Sequence, residues 1–226
     1  MKRKLIIGAL ALLTTAGMVN AQTKVGLKGG YNLANITYNK DGEVDDKTGL
    51  SAFHVGIAVD AAVTELLSIK TGLELQSKGS KYTATGTLGT FEHTVNPMYI
   101  ELPVNLALNL PLGGASKLYV GAGPYAAVGI AGKDKWKATS SVTSSDGERN
   151  IEWGNDDPSS GDNGDQGDFK RFDAGVNVIG GIDFGKFAIN AQYGIGLVNT
   201  YPGGESNSDN KKNRNRVLGI GGIFYF

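Results

Sequence analysis

The chain has 226 residues, 34 glycines, no cysteine and a formal net charge of zero. The absence of cysteine excludes disulfides and thiol catalysis, and the balanced charge argues against a nucleic-acid surface. After residue 21 no apolar run reaches the roughly 20 residues that a membrane-spanning helix needs, so a membrane-resident chain of this composition must cross with strands.

Residues 1–21 read as a signal peptide. Lys2, Arg3 and Lys4 give a positive start, Leu5 to Leu13 is apolar, and Val19-Asn20-Ala21 offers small residues for cleavage before Gln22. No cysteine follows that site, so no lipid anchor is expected there. Cleavage would remove three of the 22 basic residues and no acid, leaving 205 residues at −3. Residues 22–226 are then one domain.

Eight segments of that domain alternate with period two, the periodicity of a strand. Lys24 to Ile36 sets Val25, Leu27, Tyr31 and Leu33 against Lys28 and Asn32; Ser51 to Asp60 sets Phe53, Val55, Ile57 and Val59 against His54 and Asp60. Leu67 to Gln76 opposes Ile69, Leu73 and Leu75 to Lys70, Glu74 and Gln76. The plainest case opposes Ile100, Leu102, Val104, Leu106 and Leu108 to Glu101, Pro103, Asn105 and Asn109. Pro103 cannot donate to a ladder, so a bulge is expected there. Leu118 to Ile130, Asp173 to Phe184 and Phe187 to Leu197 continue the pattern. The last segment, Arg216 to Phe226, is apolar or glycine on both faces, which suits a closed sheet whose outer face meets lipid.

The connectors settle more than the alternation does. Thr37–Leu50, Gly79–Pro97, Gly132–Phe169 and Asn199–Asn215 are long and polar, whereas Ala61–Leu66, Pro111–Lys117 and Gly185-Lys186 are short. Long and short alternate along the chain. That parity predicts an all-β, eight-stranded antiparallel up-and-down transmembrane β-barrel with long extracellular loops and short periplasmic turns.

The residues also carry a resemblance. Tyr99-Ile100-Glu101-Leu102-Pro103, Gly123-Pro124-Tyr125, Thr71-Gly72-Leu73-Glu74, Lys78-Gly79 and the aromatic C-terminus resemble the PorT-like family of outer-membrane β-barrel proteins. The resemblance spans most of residues 23–226. It implies a barrel in a Gram-negative outer membrane, in a family mostly without assigned activity. As in barrels this one resembles, Phe224 and Phe226 are expected to be the signal read by the outer-membrane assembly machinery.

Candidate chemistry is sparse. Lys28, Lys70, Glu74 and Glu101 share the inward phase, with His54. In a barrel barely wide enough for its own side chains, they are expected to form one paired network that blocks the lumen, or else to line an ion path. Ser51 with His54 is the one conceivable nucleophile pair, and the inward phase of His54 argues against it, so no enzyme and no cofactor are expected. Asp146 to Asp168 holds eight acids and one arginine. Within it Asp162, Asp165 and Asp168 alternate with glycine and small polar residues, which suits a calcium loop or a solvated mobile one, while the flanks Lys133 to Val142 and Asn150 to Trp153 are more strand-like and could extend the fifth and sixth strands above the membrane. Lys211, Lys212, Arg214 and Arg216 could pair with that acidic loop or with anionic headgroups. The leading function is a structural or interaction protein presenting surface loops. A narrow channel and an exported soluble barrel binding an apolar ligand inside are the alternatives. The expected partners are outer-membrane lipid and the assembly machinery, with no nucleic acid.

Overall fold

A computed structural model describes residues 23–40, 43–46, 49–156, 165–203 and 212–226, with backbone alone for 38–40 and 43–46. Its regular structure is all strand: β1 Thr23–Lys40, β2 Glu43–Asp46, β3 Leu50–Ala62, β4 Leu67–Ser77, β5 Ser80–Gly86, β6 Gly89–Gly113, β7 Ser116–Thr139, β8 Ser144–Asn150, β9 Phe172–Asp183, β10 Phe187–Gly196 and β11 Lys212–Tyr225. Eight of these form a ring in the order β1, β3, β4, β6, β7, β9, β10, β11, and β11 pairs back onto β1 from Gly26↔Tyr225 to Asn39↔Lys212. Every neighbour in the ring is antiparallel, so no edge is left open along the barrel wall. All three short turns lie at one end of the ring and the long connections at the other.

Side-chain phase decides what the ring is for. Leu106 and Ile220 are 57% and 58% exposed on the outer face. Lys28, Glu74 and Glu101 are buried inside. An apolar wall around a polar interior is stable only where the wall meets hydrocarbon. The soluble ligand-binding barrel, which needs the opposite phase, is therefore ruled out. Outward aromatics mark both rims of the apolar band: Tyr31, Phe53, Tyr193 and Phe172 toward the long connections, and Phe184, Phe187, Phe224 and Phe226 at the turn end.

Two inward tyrosines fill the lumen because their cross-strand partners are glycines. Tyr125 lies opposite Gly175 and Tyr119 opposite Gly181. A Cβ on Gly175 would come within 2.7 Å of Tyr125 Cε1, and one on Gly181 within 2.6 Å of the Tyr119 hydroxyl. The phenol rings occupy the space that any larger partner would take.

Pro103 does not make the expected bulge. The β4–β6 register is the same on both sides of it, Thr71↔Val104 and Glu74↔Glu101, and only the rungs between them are absent. The missing N–H is absorbed as a gap in the ladder, and Thr71 Oγ1 donates 2.6 Å to the free Pro103 carbonyl. The β6–β7 register instead shifts at Met98/Tyr99 and at Pro111/Gly113.

The long polar connectors 79–97 and 132–169 hold much regular structure: the strand-like flank 133–142 continues β7 as far as Thr139, whereas 150–153 adds no strand beyond Asn150. β5, the first part of β6, the last part of β7 and β8 form a four-stranded antiparallel sheet that continues past the ring. One of its faces carries the cross-strand row Tyr82, His93, Trp136 and Gly147. The other carries Lys81, Thr94, Lys135 and Glu148. Neither face is buried enough to need an apolar code, which is why composition reads as loop.

Candidate functional site: the filled lumen and its mouth

The inward charges are organised by depth. At the turn end Lys24 Nζ donates to Asp183 Oδ2 at 2.8 Å, and Lys70 pairs with Asp60 while its ammonium sits 4.2 Å from the centre of the Tyr119 ring. One level deeper Lys28 Nζ donates to Glu74 Oε1 at 2.7 Å and to Gln192 Oε1 at 2.6 Å. From there a hydrogen-bonded chain climbs the lumen: Gln76 Nε2 donates to Glu74, Asn32 Nδ2 donates to Gln76, and Asn32 Oδ1 lies 2.7 Å from His54 Nδ1. Because Asn32 offers its oxygen, His54 is the donor at Nδ1.

The third level centres on Lys78, which is fully buried. Its ammonium lies 2.8 Å from Glu101 Oε2 and 3.0 Å from Asp173 Oδ2, with the Tyr125 ring 4.3 Å away. Asp173 Oδ2 also accepts from the Tyr125 hydroxyl and from Asn215 Nδ2, and Glu101 Oε1 accepts from Asn177 Nδ2. One ammonium thus serves two carboxylates that are otherwise held by neutral donors.

The four sequence-predicted residues all face the lumen, but they do not form one network. Lys28 meets Glu74, Lys70 meets Asp60, and Glu101 meets Lys78. Glu74 and Glu101 are cross-strand partners, yet each turns to a different base, and period-two phase does not encode that choice. Asp60, Asp173 and Asp183 already lie on the polar phase of their strands. Lys78 continues the phase of Lys70, Glu74 and Gln76, and extending the alternation two residues beyond Gln76 would have found it. Ser51 and His54 lie on opposite faces of β3: Ser51 is exposed and bonds the Tyr31 hydroxyl at 2.8 Å.

Little space remains among these side chains. Two cavities in the middle of the lumen measure about 10 and 30 Å³, room for roughly one or two waters each, and a larger one of about 260 Å³ lies at the turn end among Lys24, Asp60, Ser68, Asn109 and Asp183. Above Lys78 the mouth is capped. Ile36, Ile151 and Phe169 form a buried cluster with Val95 and Trp153 packed against it, and the Trp153 ring meets Tyr99 edge-on at 5.4 Å. Trp153 can lie there because Gly129 presents no Cβ to its ring.

The acidic connector supplies this cap. Asp168 accepts from Arg149 Nη1 and Nη2 at 2.7 and 2.8 Å and from the Glu152 N–H at 2.9 Å. Burial acts to raise the Asp168 carboxyl, but the hydrogen bonds from Arg149 and Glu152 hold it below the usual range. Asp165 Oδ2 accepts from Asn155 Nδ2. Asp162 lies outside the described residues. The described parts of this loop are packed into the mouth, and the carboxylates of Asp165 and Asp168 face protein donors. On the projecting sheet, hydrogen bonds from Lys133 and Lys135 hold the Glu148 carboxyl down at about 2.

The outward ends of the chain are equally defined. Phe224 and Phe226 are exposed on the lipid side, 6.3 Å apart and edge-to-face, and the Phe226 N–H donates to Val25 O.

Among solved structures, the chain is similar to the attachment invasion locus protein Ail of Yersinia pestis, with 13% identity and a TM-score of 0.39, covering 91% of this chain and 100% of that one. It is similar also to Neisserial surface protein A, with 10% identity, a TM-score of 0.40 and the same two coverages. The translocator domain of the autotransporter NalP from Neisseria meningitidis aligns over 100% of this chain and 96% of that one, with 10% identity and a TM-score of 0.30. No curated protein matches the sequence. Residues 20–201 match the family described as outer membrane protein beta-barrel domain. The chain belongs to that family, and it is an eight-stranded barrel of the outer membrane with its long connections outside and its short turns toward the periplasm.

Proposed function

We propose that the protein is a closed-lumen scaffold that holds an extracellular β-sheet at the cell surface for interaction with a partner, and that it is neither a channel nor an enzyme. The observation that carries this reading is the filling of the lumen at its middle: Lys78, Glu101 and Asp173 meet across it, and the cavities beside them and beside Lys28 are about 10 and 30 Å³. A hydrated ion needs more room than that, and moving one would require these buried pairs to part. The projecting sheet of β5 to β8 is by contrast built to be met, with Tyr82, Phe91 and Trp136 each more than two-fifths exposed on one face. In the same reading residues 1–21 are cleaved on export, the barrel is inserted by the assembly machinery, and the family kinship is with PorT-like barrels.

Proteoliposome swelling tests the closed lumen against the narrow channel. Vesicles carrying the folded protein should swell no faster in small sugars than empty vesicles. Swelling that follows solute size would favour the channel.

A further inference from the structure

The extracellular end of β11 carries a row of cations on the lipid side of the barrel. Lys212, Arg214 and Arg216 alternate in the outward phase of the strand, in line with Leu218, Ile220 and Phe224, which are 52%, 58% and 55% exposed to lipid. Their level is set by the aromatic rim. Tyr193 pairs with Leu218 and Tyr31 with Ile220, so Arg216 stands one rung above the tyrosines that mark the boundary of the hydrocarbon. Arg216 is opposite Asn35 and Ile195, Arg214 is opposite Thr37, and Lys212 is opposite Asn39. None of these partners is acidic. Asp46 is opposite Thr37 on its other side, so its backbone lies two strand spacings, about 9.5 Å, from that of Arg214.

Several cations of the projecting sheet are matched. Lys81 meets Glu92, Lys133 and Lys135 meet Glu148, and Arg149 meets Asp134 and Asp168. Among the described residues no ion pair joins Lys212, Arg214 or Arg216 to an acid. Arg216 is nevertheless held in place, with Nη1 donating to Gly196 O at 2.8 Å and Asn215 O at 3.3 Å. That leaves Nε and Nη2 of a fixed guanidinium as donors. In the acidic connector, the other candidate for neutralising this row, Asp168 is held by Arg149.

We propose that Lys212, Arg214 and Arg216 form an anion-binding ladder for phosphorylated lipid headgroups of the outer leaflet. The geometry suits that source. Acyl chains can lie against Leu218 and Ile220 while a phosphate at the headgroup level meets a guanidinium fork, the planar donor arrangement that recognises phosphate best. A soluble anion would gain nothing from the apolar band below.

The test uses the full mature protein folded into two kinds of vesicle, zwitterionic phosphatidylcholine alone and phosphatidylcholine with a minority of phosphatidic acid, the phosphorylated lipid whose exposed phosphate monoester is anionic. After mild detergent extraction the retained phosphorylated lipid is counted by native mass spectrometry. The unmodified protein should retain it. The double variant K212Q/R214Q should lose affinity by about fivefold per charge removed, with the same heat-modifiable gel mobility in pure phosphatidylcholine. K135Q, which alters a cation that already has a carboxylate, should retain the lipid as the parent does. Equal retention by parent and K212Q/R214Q would overturn the proposal. So would a third arm in which inorganic phosphate, at matched concentration, displaces the lipid completely, since the site would then read a free anion and not a headgroup.

Discussion

Lys78 Nζ lies 2.8 Å from Glu101 Oε2 and 3.0 Å from Asp173 Oδ2, so one ammonium ties β6 to β9 across the intervening β7. Both carboxylates are buried and bonded besides by neutral groups only. The cation is the element that lets two acids coexist in so dry a space. Removing it is therefore worse than removing either acid.

From this, Lys78→Met should destabilise the barrel by about 3–5 kcal/mol, the cost of leaving buried charge unmatched. Glu101→Gln should cost less, because Lys78 keeps Asp173. Urea unfolding in vesicles reads both. Lys70→Met combined with Glu101→Leu should be near additive, since Lys70 answers to Asp60 and Glu101 to Lys78. A large coupling between those two would contradict the separation of the centres.

The inside–outside assignment has its own test on β6. Val104 and Leu106 face lipid and Asn105 faces the lumen. Replacing Val104 or Leu106 by Arg should cost about 2–4 kcal/mol near the midplane, and Asn105→Ser much less. Equal losses in the three variants would mean that the strand is turned the other way.

Acid should loosen the extracellular sheet and the cap beside it. Lys133 and Lys135 hold Glu148 at about 2, down from an ordinary 4.5, and Asp168 is also lowered. A depressed carboxyl stabilises the folded form above its unfolded value, and that stabilisation fades as pH falls through the folded value. The window is thus roughly pH 4.5 down to 2. The chain's two tryptophans, Trp136 on the sheet and Trp153 in the cap, are both at this end. Their emission should change across that window. A flat emission profile would show that the acids do not hold the sheet.

How far this was legible in the sequence depends on what each residue has to face. Ile100 to Asn109 lies between lipid and lumen, so its alternation is plain and the ring could be read from it. Ser80 to Gly86 and Ser144 to Asn150 have no buried face, so their pairing left no apolar trace. Ile151, Trp153 and Phe169 form the cap, but they stand in a glycine- and aspartate-rich setting whose composition suggests solvent. Phase told that Lys28, Lys70, Glu74 and Glu101 point inward. It could not tell which acid each base would meet, because even the cross-strand partners Glu74 and Glu101 turn to different bases.

Phe224 and Phe226 are proposed to be read during assembly, with their rings exposed on the lipid side and beside each other. Deleting Phe226 should lower the amount of folded protein in the outer membrane. Phe226→Ser should do the same, whereas Phe226→Tyr should restore most of it. Unchanged assembly in the deletion variant would remove the proposed role.

The most direct test of the closed lumen is electrical. Purified protein inserted in a planar bilayer, in molar salt and at neutral pH, should give no conductance steps above the bare membrane. Lys78→Met, if it still folds, should be the variant in which steps first emerge. Sustained, uniform steps from the unmodified protein would show that the lumenal charges line an open path, and would contradict the account.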